Sequence, residues 1–203
     1  MKPIEIIMRT APVIPVLVVD DAQHARPIAE ALVAGGLRVL EVTLRTPAAL
    51  DVIREMSAVD GAIVGAGTVL NEADLRASID AGAKFIVSPG LTEPLGKAAI
   101  ASGIPFLPGI ANAGDIMRGL DMGLTHFKFF PAEASGGIAA LKALAAPFHQ
   151  CRFCPTGGIT ATTASNWLSI EPVLCVGGSW IVGKGAPSRS LIAANAREAS
   201  QLA

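Results

Sequence analysis

Charged residues are scarce in this sequence, and no segment gathers charges of one sign. Asp, Glu, Lys and Arg make up 16% of the 203 residues, and the formal net charge is −1. Proteins that bind nucleic acid or a membrane surface need a sustained basic patch, so we expect neither partner. Soluble domains usually carry roughly 25% charged residues. The deficit favours an oligomer that covers part of the surface; a surface rich in alanine and glycine is the alternative.

Cysteines are also few, and their number is odd. The three thiols belong to Cys151, Cys154 and Cys175, which is typical of a protein in the reducing cytosol. Cys151 and Cys154 have the spacing of a redox or zinc pair. In a strand, however, this separation places the two side chains on opposite faces, and no second pair of ligands accompanies them. The sequence therefore favours neither a redox pair nor a zinc site.

Long apolar runs and clustered histidines are missing as well. No 18 consecutive residues are all apolar, which argues against a transmembrane helix. The first ten residues include Lys2, Glu5 and Arg9 and so lack the apolar core of a signal peptide. We therefore expect a cytoplasmic protein. No two histidines have the spacing of metal ligands, so we expect no metal ion.

Short apolar runs alternate with longer amphipathic stretches along the chain. The runs are rich in Val, Ile, Leu and Phe, and several are bounded by Gly or Pro, as strands often are. Helix start signals follow some of them, at Thr46-Pro47, Asn71-Glu72, Thr92-Glu93-Pro94 and Asn112. The eight predicted strands are 13–19, 37–44, 62–66, 84–87, 104–107, 126–130, 151–155 and 173–176.

Eight strands that alternate with about as many helices predict an α/β protein with a parallel sheet. We expect a single (β/α)8 TIM barrel with a short N-terminal helix, formed by one domain over residues 1–203. An open doubly wound sheet is the alternative. It is disfavoured because no G-x-G-x-x-G motif opens the first helix. In such barrels the active site lies at the C-terminal ends of the strands.

The second predicted strand carries polar residues that a buried parallel strand would not need. Glu41, Thr43 and Arg45 share one face and alternate with leucine and valine on the other. An ordinary half-exposed strand would show the same pattern, but barrel strands are covered on both faces. We therefore expect the polar face to point into the barrel. An acid and a base there suggest proton transfer beside anion binding.

The sixth predicted strand holds one lysine, Lys128, among aromatic residues. The lysine could extend from a strand edge or pair with an acid. The functional alternative is a buried amine, which burial favours in its neutral form and which can attack a carbonyl to form a Schiff base. A glutamate on another inward-facing strand would supply the proton carrier that this chemistry needs. Phe130 shares the face of Lys128 and could pack against the substrate.

Glycine-rich segments follow three of the strands. Thr156-Gly157-Gly158 and Gly177-Gly178-Ser179 follow the last two strands, where barrels frequently bind phosphate through exposed backbone N–H groups. Gly67-Thr68 ends the third strand and lets the backbone and a hydroxyl approach a ligand closely. Tight turns without a ligand are the alternative in each case.

Six longer segments give a more specific signal, because they occur together and in order. They closely resemble the family of class I aldolases that act on 2-keto-3-deoxy-6-phosphogluconate (KDPG) and 4-hydroxy-2-oxoglutarate. The resemblance covers residues 11–199. The segments are 39–46 (VLEVTLRT), 64–71 (VGAGTVLN), 85–92 (FIVSPGLT), 127–133 (FKFFPAE), 152–159 (RFCPTGGI) and 175–180 (CVGGSW).

The resemblance implies a cytoplasmic homotrimer of TIM barrels in the Entner–Doudoroff pathway, with a phosphorylated keto acid as substrate. No metal or other cofactor is implied, because the reaction passes through a covalent lysine imine. Lys128 matches the family's Schiff-base lysine, and Glu41 matches its general acid and base.

Matches to the family also imply how the substrate is held. Arg45 and Thr68 match residues that hold the pyruvate carboxylate, and Pro89 and Phe130 match residues that line the pyruvate pocket. Thr156 matches a residue near the aldehyde that influences stereochemistry. The residues that match the phosphate loop are Gly157, Gly158, Gly178 and Ser179.

Three rival functions remain open from the sequence. The same imine chemistry would cleave 4-hydroxy-2-oxoglutarate or the galactonate epimer of KDPG. A phosphate-binding barrel isomerase or synthase would keep the glycine turns but give Lys128 no covalent role. A catalytically idle trimeric scaffold would have no reason to keep Glu41, Arg45 and Lys128 together.

Overall fold

The computed structural model describes residues 1–183 and 188–202. Helices and strands alternate along it. The helices are α1 Pro3–Met8, α2 Ala25–Ala34, α3 Ala49–Ser57, α4 Glu72–Asp80, α5 Glu93–Ser102, α6 Ala113–Asp121, α7 Gly137–Ala145, α8 Ala164–Leu168 and α9 Arg189–Ser200. The strands are β1 Val13–Leu17, β2 Val39–Thr43, β3 Ile63–Gly67, β4 Phe85–Val87, β5 Phe106–Leu107, β6 Gly109–Ile110, β7 His126–Phe129, β8 Arg152–Pro155 and β9 Val176–Gly178.

The strands form two curled parallel sheets. One has six strands in the order β5-β4-β3-β2-β1-β9, and the other has three in the order β6-β7-β8. Every strand pair is parallel. Two isolated parallel bridges, Phe153 to Val173 and Thr156 to Gly177, link β8 to the segment that contains β9. The prediction of an α/β fold with parallel strands is confirmed.

The fifth predicted strand, 104–107, is wrong in its extent. The structure has two short strands, β5 and β6, on either side of Pro108. β5 pairs with β4, and β6 pairs with β7. Proline has no N–H to donate to a ladder, so the strand breaks there. Its carbonyl still accepts a hydrogen bond from the backbone N–H of Lys128 at 2.8 Å.

The last predicted strand is also displaced. Val173 makes only an isolated bridge, and the regular strand β9 begins at Val176, where the run 173–176 was expected to end. Pairing with β1 extends it through Gly177 and Gly178, opposite Ile14 and Pro15. Gly178 therefore ends a strand and does not lie in the following turn.

Two predicted helix starts are capped as expected, and one is wrong. The Asn71 side chain accepts from the N–H of Asp74 at the start of α4, and Asn112 caps α6 in the same way. The start predicted at Thr46-Pro47 is wrong, because α3 begins at Ala49. The Thr46 hydroxyl instead donates to the carbonyl of Val19, which connects this turn to the segment that follows β1.

Apolar side chains pack on both faces of the strands. The larger cluster lies between strands and helices and includes Leu40, Val42, Phe127 and Phe129. A smaller cluster fills the interior. It contains Ile4, Ile7 and Met8 of α1 together with Ile14, Val39, Phe85, Val87, Leu107, Cys154 and Cys175. Val39 and Phe85 are the first residues of β2 and β4, so α1 covers the end at which the strands begin.

His126 takes part in this covered end. It is the first residue of β7 and is 6% exposed, and its Nε2 lies 3.4 Å from Oε2 of Glu5 in α1. Burial lowers the pKa of His126, although the negative charge of Glu5 acts in the opposite direction. Burial therefore favours the uncharged form of the ring at this end of the strands.

A helix that crosses a membrane has to be both long and apolar. Within residues 1–183 and 188–202, no helix is long and apolar enough to cross a bilayer.

Candidate active site

A buried lysine and a buried glutamate meet in the interior. Nζ of Lys128 in β7 lies 3.0 Å from Oε1 of Glu41 in β2, and the two side chains are 7% and 4% exposed. Lysine and glutamate are almost never buried unless they are paired. β2 and β7 belong to different sheets, so this contact spans the space between them. An amine and a carboxylate at this distance can exchange a proton.

Side-chain alternation along β2 and β7 directs both groups inward. Leu40 and Val42 pack on the helix side, which leaves Glu41 on the interior face. In the same way, Phe127 and Phe129 pack on the helix side and Lys128 points inward.

Gly67 in β3 makes room for the Glu41 carboxylate. A Cβ at Gly67 would overlap Oε1 and Cγ of Glu41. The absence of a side chain lets the carboxylate lie directly against the backbone of the neighbouring strand. Any larger residue at position 67 is therefore expected to displace Glu41 from the lysine.

The surroundings of the lysine are aromatic and weakly polar. Nζ of Lys128 lies 5.2 Å from the ring centroid of Phe130, within the range of a cation–π contact. Cys175 is fully buried nearby. A hydrogen bond with Cys154, burial, and the negative charge of Glu41 raise the pKa of Cys175 well above its usual value. The thiol is therefore kept neutral.

Three further residues singled out by the sequence lie just beyond strand ends. Arg45 is exposed in the turn after β2, and among the described residues its guanidinium forms neither an ion pair nor a hydrogen bond. Thr68 follows β3 with a φ of 59°, a left-handed conformation that is uncommon for a non-glycine residue and is frequent at functional sites. Pro89 follows β4 against Gly109, which pairs with Lys128 in the sheet.

The two glycine segments are adjacent at the same end of the strands. The bridge from Thr156 to Gly177 joins them. Gly157 and Gly158 have φ values of 106° and 82°, which favour glycine because L side chains rarely adopt them. Within the described ranges, the backbone N–H groups of Gly157, Gly158 and Ser179 meet no acceptor in the protein. Free backbone N–H groups in glycine turns are able to donate to an anion.

Thr156 stands between the lysine and these turns. It is 5% exposed, and its Oγ1 lies 3.8 Å from Sγ of Cys154, the residue that pairs with Lys128 across β7 and β8. The hydroxyl is therefore placed between the two parts of the site.

Sequence reasoning missed some of the polar contacts around this site. Thr43 was expected to share the inward polar face, but its hydroxyl donates to the Leu17 carbonyl at 2.8 Å and so joins two strands. Trp167 makes another contact that the sequence did not predict. It is fully buried, and its Nε1 also donates to Oε1 of Glu133 at 3.0 Å.

A metal site would need a cluster of ligating side chains within residues 1–183 and 188–202. In that part of the chain no three His, Cys, Asp or Glu side chains gather at a distance suitable for a metal.

Comparison with known proteins gives consistent matches. The family model "KDPG and KHG aldolase" matches residues 4–194, KHG being 4-hydroxy-2-oxoglutarate. The chain is 60% identical over 200 residues to the 2-dehydro-3-deoxy-phosphogluconate aldolase of Zymomonas mobilis, covering 98% of this chain and 96% of that protein.

Two solved structures extend these matches. The KDPG aldolase of Zymomonas mobilis with 3-phosphoglycerate superposes with a TM-score of 0.99 at 59% identity, covering 100% of this chain and 97% of that one. The KDPG aldolase of Legionella pneumophila, with pyruvate captured as a covalent carbinolamine, gives a TM-score of 0.94 at 44% identity and covers 98% of each chain.

The parallel α/β fold and the aldolases it matches define this protein as a carbon–carbon lyase. Within that class, the chain belongs to the KDPG and KHG aldolase family.

Proposed function

We propose that the protein cleaves KDPG to pyruvate and glyceraldehyde 3-phosphate, a step of the Entner–Doudoroff pathway, through an imine on Lys128. The observation that carries the proposal is the buried contact between Lys128 and Glu41. The family also supports cleavage of 4-hydroxy-2-oxoglutarate to pyruvate and glyoxylate, because the same groups act on the shared keto-acid end.

The lysine supplies the covalent chemistry. Neutral Nζ of Lys128 attacks the C2 ketone, and loss of water from the carbinolamine gives a protonated imine. When the C3–C4 bond breaks, its electron pair moves into this imine and leaves an enamine instead of a free carbanion. The imine itself supplies the electron sink, so the proposed reaction uses no metal or other cofactor.

Glu41 moves the protons. Its carboxylate, 3.0 Å from Nζ, assists the dehydration that forms the imine. It then accepts the proton of the C4 hydroxyl as the C3–C4 bond breaks, directly or through a water. The same proton is returned to the enamine carbon, and hydrolysis of the resulting imine releases pyruvate and free Lys128.

Residues at the strand ends hold the two charged ends of the substrate. Arg45 binds both oxygens of the carboxylate with its planar guanidinium, together with Thr68. Pro89 and Phe130 line the pyruvate pocket. Thr156 lies on the aldehyde side, consistent with its position between Lys128 and the glycine turns. The phosphate binds the free N–H groups of Gly157, Gly158 and Ser179 and the Ser179 hydroxyl, beside Gly178 at the end of β9.

Substrate comparison tests this function. We expect the purified protein to release pyruvate from KDPG, monitored by reduction with lactate dehydrogenase and NADH. 4-Hydroxy-2-oxoglutarate should be cleaved less efficiently, because it lacks the phosphate that the glycine turns bind. Equal or greater efficiency with the galactonate epimer of KDPG would instead assign the protein to that substrate. Failure to cleave any of the three keto acids would contradict the proposal.

Ser179 offers a specific test of the phosphate side. It is exposed after β9, so Ser179→Asp places a negative charge beside the proposed phosphate without disturbing the core. We expect the KM for KDPG to rise roughly ten- to a hundredfold, the equivalent of losing one charged hydrogen bond of about 1.5–3 kcal/mol. Pyruvate trapping on Lys128 should be unchanged, and Ser179→Ala serves as the control with a smaller effect. An unchanged KM in Ser179→Asp would place the phosphate elsewhere.

We also propose that the two curled sheets form one closed eight-stranded barrel in a single domain. The bridges that link β8 to the β9 segment support closure on one side. On the other side, β5 and β6 behave as one strand interrupted at Pro108. The three cysteines are free, consistent with a protein that works in the cytoplasm.

We also propose that the protein forms a homotrimer. The chain has 16% charged residues, and several large apolar side chains are at least 45% exposed on the described surface. These are Met1, Ile6, Val18, Leu70, Ile100, Met117 and Leu191. Burial of such side chains between subunits would stabilise an oligomer. We expect light scattering at micromolar concentration to give a mass of about three times 20.7 kDa. A fully active monomer would overturn this part of the proposal.

A further inference from the structure

Glu133 has contacts that the proposed chemistry does not use. It follows β7 by four residues, and its Oε1 accepts a hydrogen bond from Nε1 of Trp167 at 3.0 Å. Trp167 belongs to α8, the helix that follows the turn of Gly157 and Gly158. The hydrogen bond therefore connects the loop after β7 to the helix after β8, with that turn between them.

The backbone and the side chain of Glu133 both contact this turn. The N–H of Glu133 donates to the carbonyl of Gly157 at 3.1 Å, and the N–H of Ala132 donates to the carbonyl of Thr156 at 2.8 Å. A Cβ added to Gly158 would lie 2.6 Å from Cγ of Glu133. The side chain of Glu133 thus lies against one side of the turn. The carbonyls of Thr156 and Gly157 accept hydrogen bonds, whereas the N–H groups of Gly157 and Gly158 meet no acceptor among the described residues.

Trp167 also contacts the strand that carries the lysine. Its ring packs against Phe129, with centroids 6.3 Å apart, and Phe129 directly follows Lys128. The tryptophan is fully buried, so its indole N–H needs an acceptor. Glu133 supplies this acceptor. The hydrogen bond between Glu133 and Trp167 therefore crosses the turn, and the Trp167 ring packs against Phe129 of β7.

We propose that Glu133 and Trp167 are positioning residues that hold the Gly157–Gly158 turn in its phosphate-binding geometry and so set the affinity for phosphorylated substrates. This inference rests on the proposed function, because it takes the turn to be the phosphate site. The role of the Glu133 carboxylate is to accept from the indole N–H of Trp167 and so to fix the Glu133 side chain against the turn.

Kinetics of Glu133 variants test the role of the hydrogen bond. We expect Glu133→Ala to raise the KM for KDPG about tenfold, the equivalent of ~1.4 kcal/mol, with kcat within about twofold of the parent because Lys128 and Glu41 are untouched. Glu133→Gln keeps an oxygen that accepts from Trp167 and removes a charge near the phosphate. Its KM should equal or fall below that of the parent. Glu198→Ala, at another exposed carboxylate, is the matched control.

Trp167→Phe removes the donor and keeps a ring beside Phe129. We expect the same rise in KM as for Glu133→Ala, and the double variant should show no further rise, because both changes break one contact. A rise in KM for Glu133→Gln equal to that for Glu133→Ala would contradict the proposal, since the hydrogen bond would then be irrelevant. A parent-like KM in Trp167→Phe would contradict it as well.

Two measurements separate this inference from the proposed function. Calorimetric binding of glyceraldehyde 3-phosphate reports on the phosphate side without turnover, and we expect it to weaken about tenfold in Glu133→Ala and Trp167→Phe. Borohydride trapping of pyruvate reports on the lysine and should be unchanged in both variants. Absence of the trapped pyruvate adduct in the parent protein would overturn the proposed function. Normal trapping with unchanged binding of glyceraldehyde 3-phosphate in both variants would overturn only the role of Glu133 and Trp167.

Discussion

Replacement of Lys128 by methionine is expected to abolish cleavage of KDPG. Methionine has a similar length but no amine, so no imine can form and the C3–C4 bond has no electron sink. Steady-state turnover should fall to the background of the assay. Lys142→Met is the matched control, because Lys142 is exposed on α7 and should be dispensable. Measurable turnover in Lys128→Met together with loss of activity in Lys142→Met would show that the nucleophile is elsewhere.

The stability of Lys128→Met has to be measured alongside its activity. The substitution leaves the buried carboxylate of Glu41 without its partner. Breaking a buried ion pair in this way typically costs about 3–5 kcal/mol. The double variant Lys128→Met with Glu41→Gln removes the unpaired charge, so we expect it to recover part of the thermal stability and to remain inactive. Recovery of activity in the double variant would contradict a covalent role for the lysine.

Replacement of Glu41 by glutamine is expected to give a different defect. The amide keeps the shape of the side chain but cannot accept and return a proton at neutral pH. Turnover should fall by roughly 10²–10⁴-fold, which is typical for loss of a general acid or base. Dehydration to the imine should also slow, yet some pyruvate adduct should accumulate on Lys128 during long incubation with borohydride.

The comparison of turnover with trapping identifies the role of Glu41. A proton carrier predicts low turnover with slow but measurable trapping. Normal turnover in Glu41→Gln would exclude the proposed role, whereas complete loss of trapping would mean that the carboxylate serves mainly to position the lysine. Glu198→Gln, at an exposed position on α9, should match the parent in both assays.

The positions of Glu41 and Lys128 could be anticipated from the sequence because each strand has a period of two. Polar residues between Leu40 and Val42, or between Phe127 and Phe129, leave the helix side to the apolar neighbours. The same reasoning does not reach Arg45. β2 ends at Thr43, so the alternation stops before the arginine and its position depends on the turn.

Contacts between distant segments were beyond sequence reasoning for a different reason. The hydrogen bond from Trp167 to Glu133 joins residues 34 positions apart, and only the packing of α8 beside the loop after β7 brings them together. The contact between Gly67 and Glu41 could not be predicted from the sequence either. The sequence showed that a glycine ends β3, but the overlap with Glu41 depends on the register of β2 and β3.

The extents of the strands depended on local chemistry that apolar runs do not record. Pro108 divides the fifth strand, because it has no N–H for the ladder. β9 continues through Gly177 and Gly178 because β1 supplies partners for them. Glycine in a sequence is typical of a turn, whereas here the neighbouring strand decides the conformation.

Reduction of the parent protein with borohydride in the presence of pyruvate tests the central claim most directly. The account predicts that one carboxyethyl group is added per chain, seen by intact-mass spectrometry, and that peptide mapping places it on Lys128. Addition should require pyruvate and should be absent from Lys128→Met. A protein without the adduct, or with the adduct on Lys84 or Lys142, would contradict the assignment of Lys128 as the imine-forming residue.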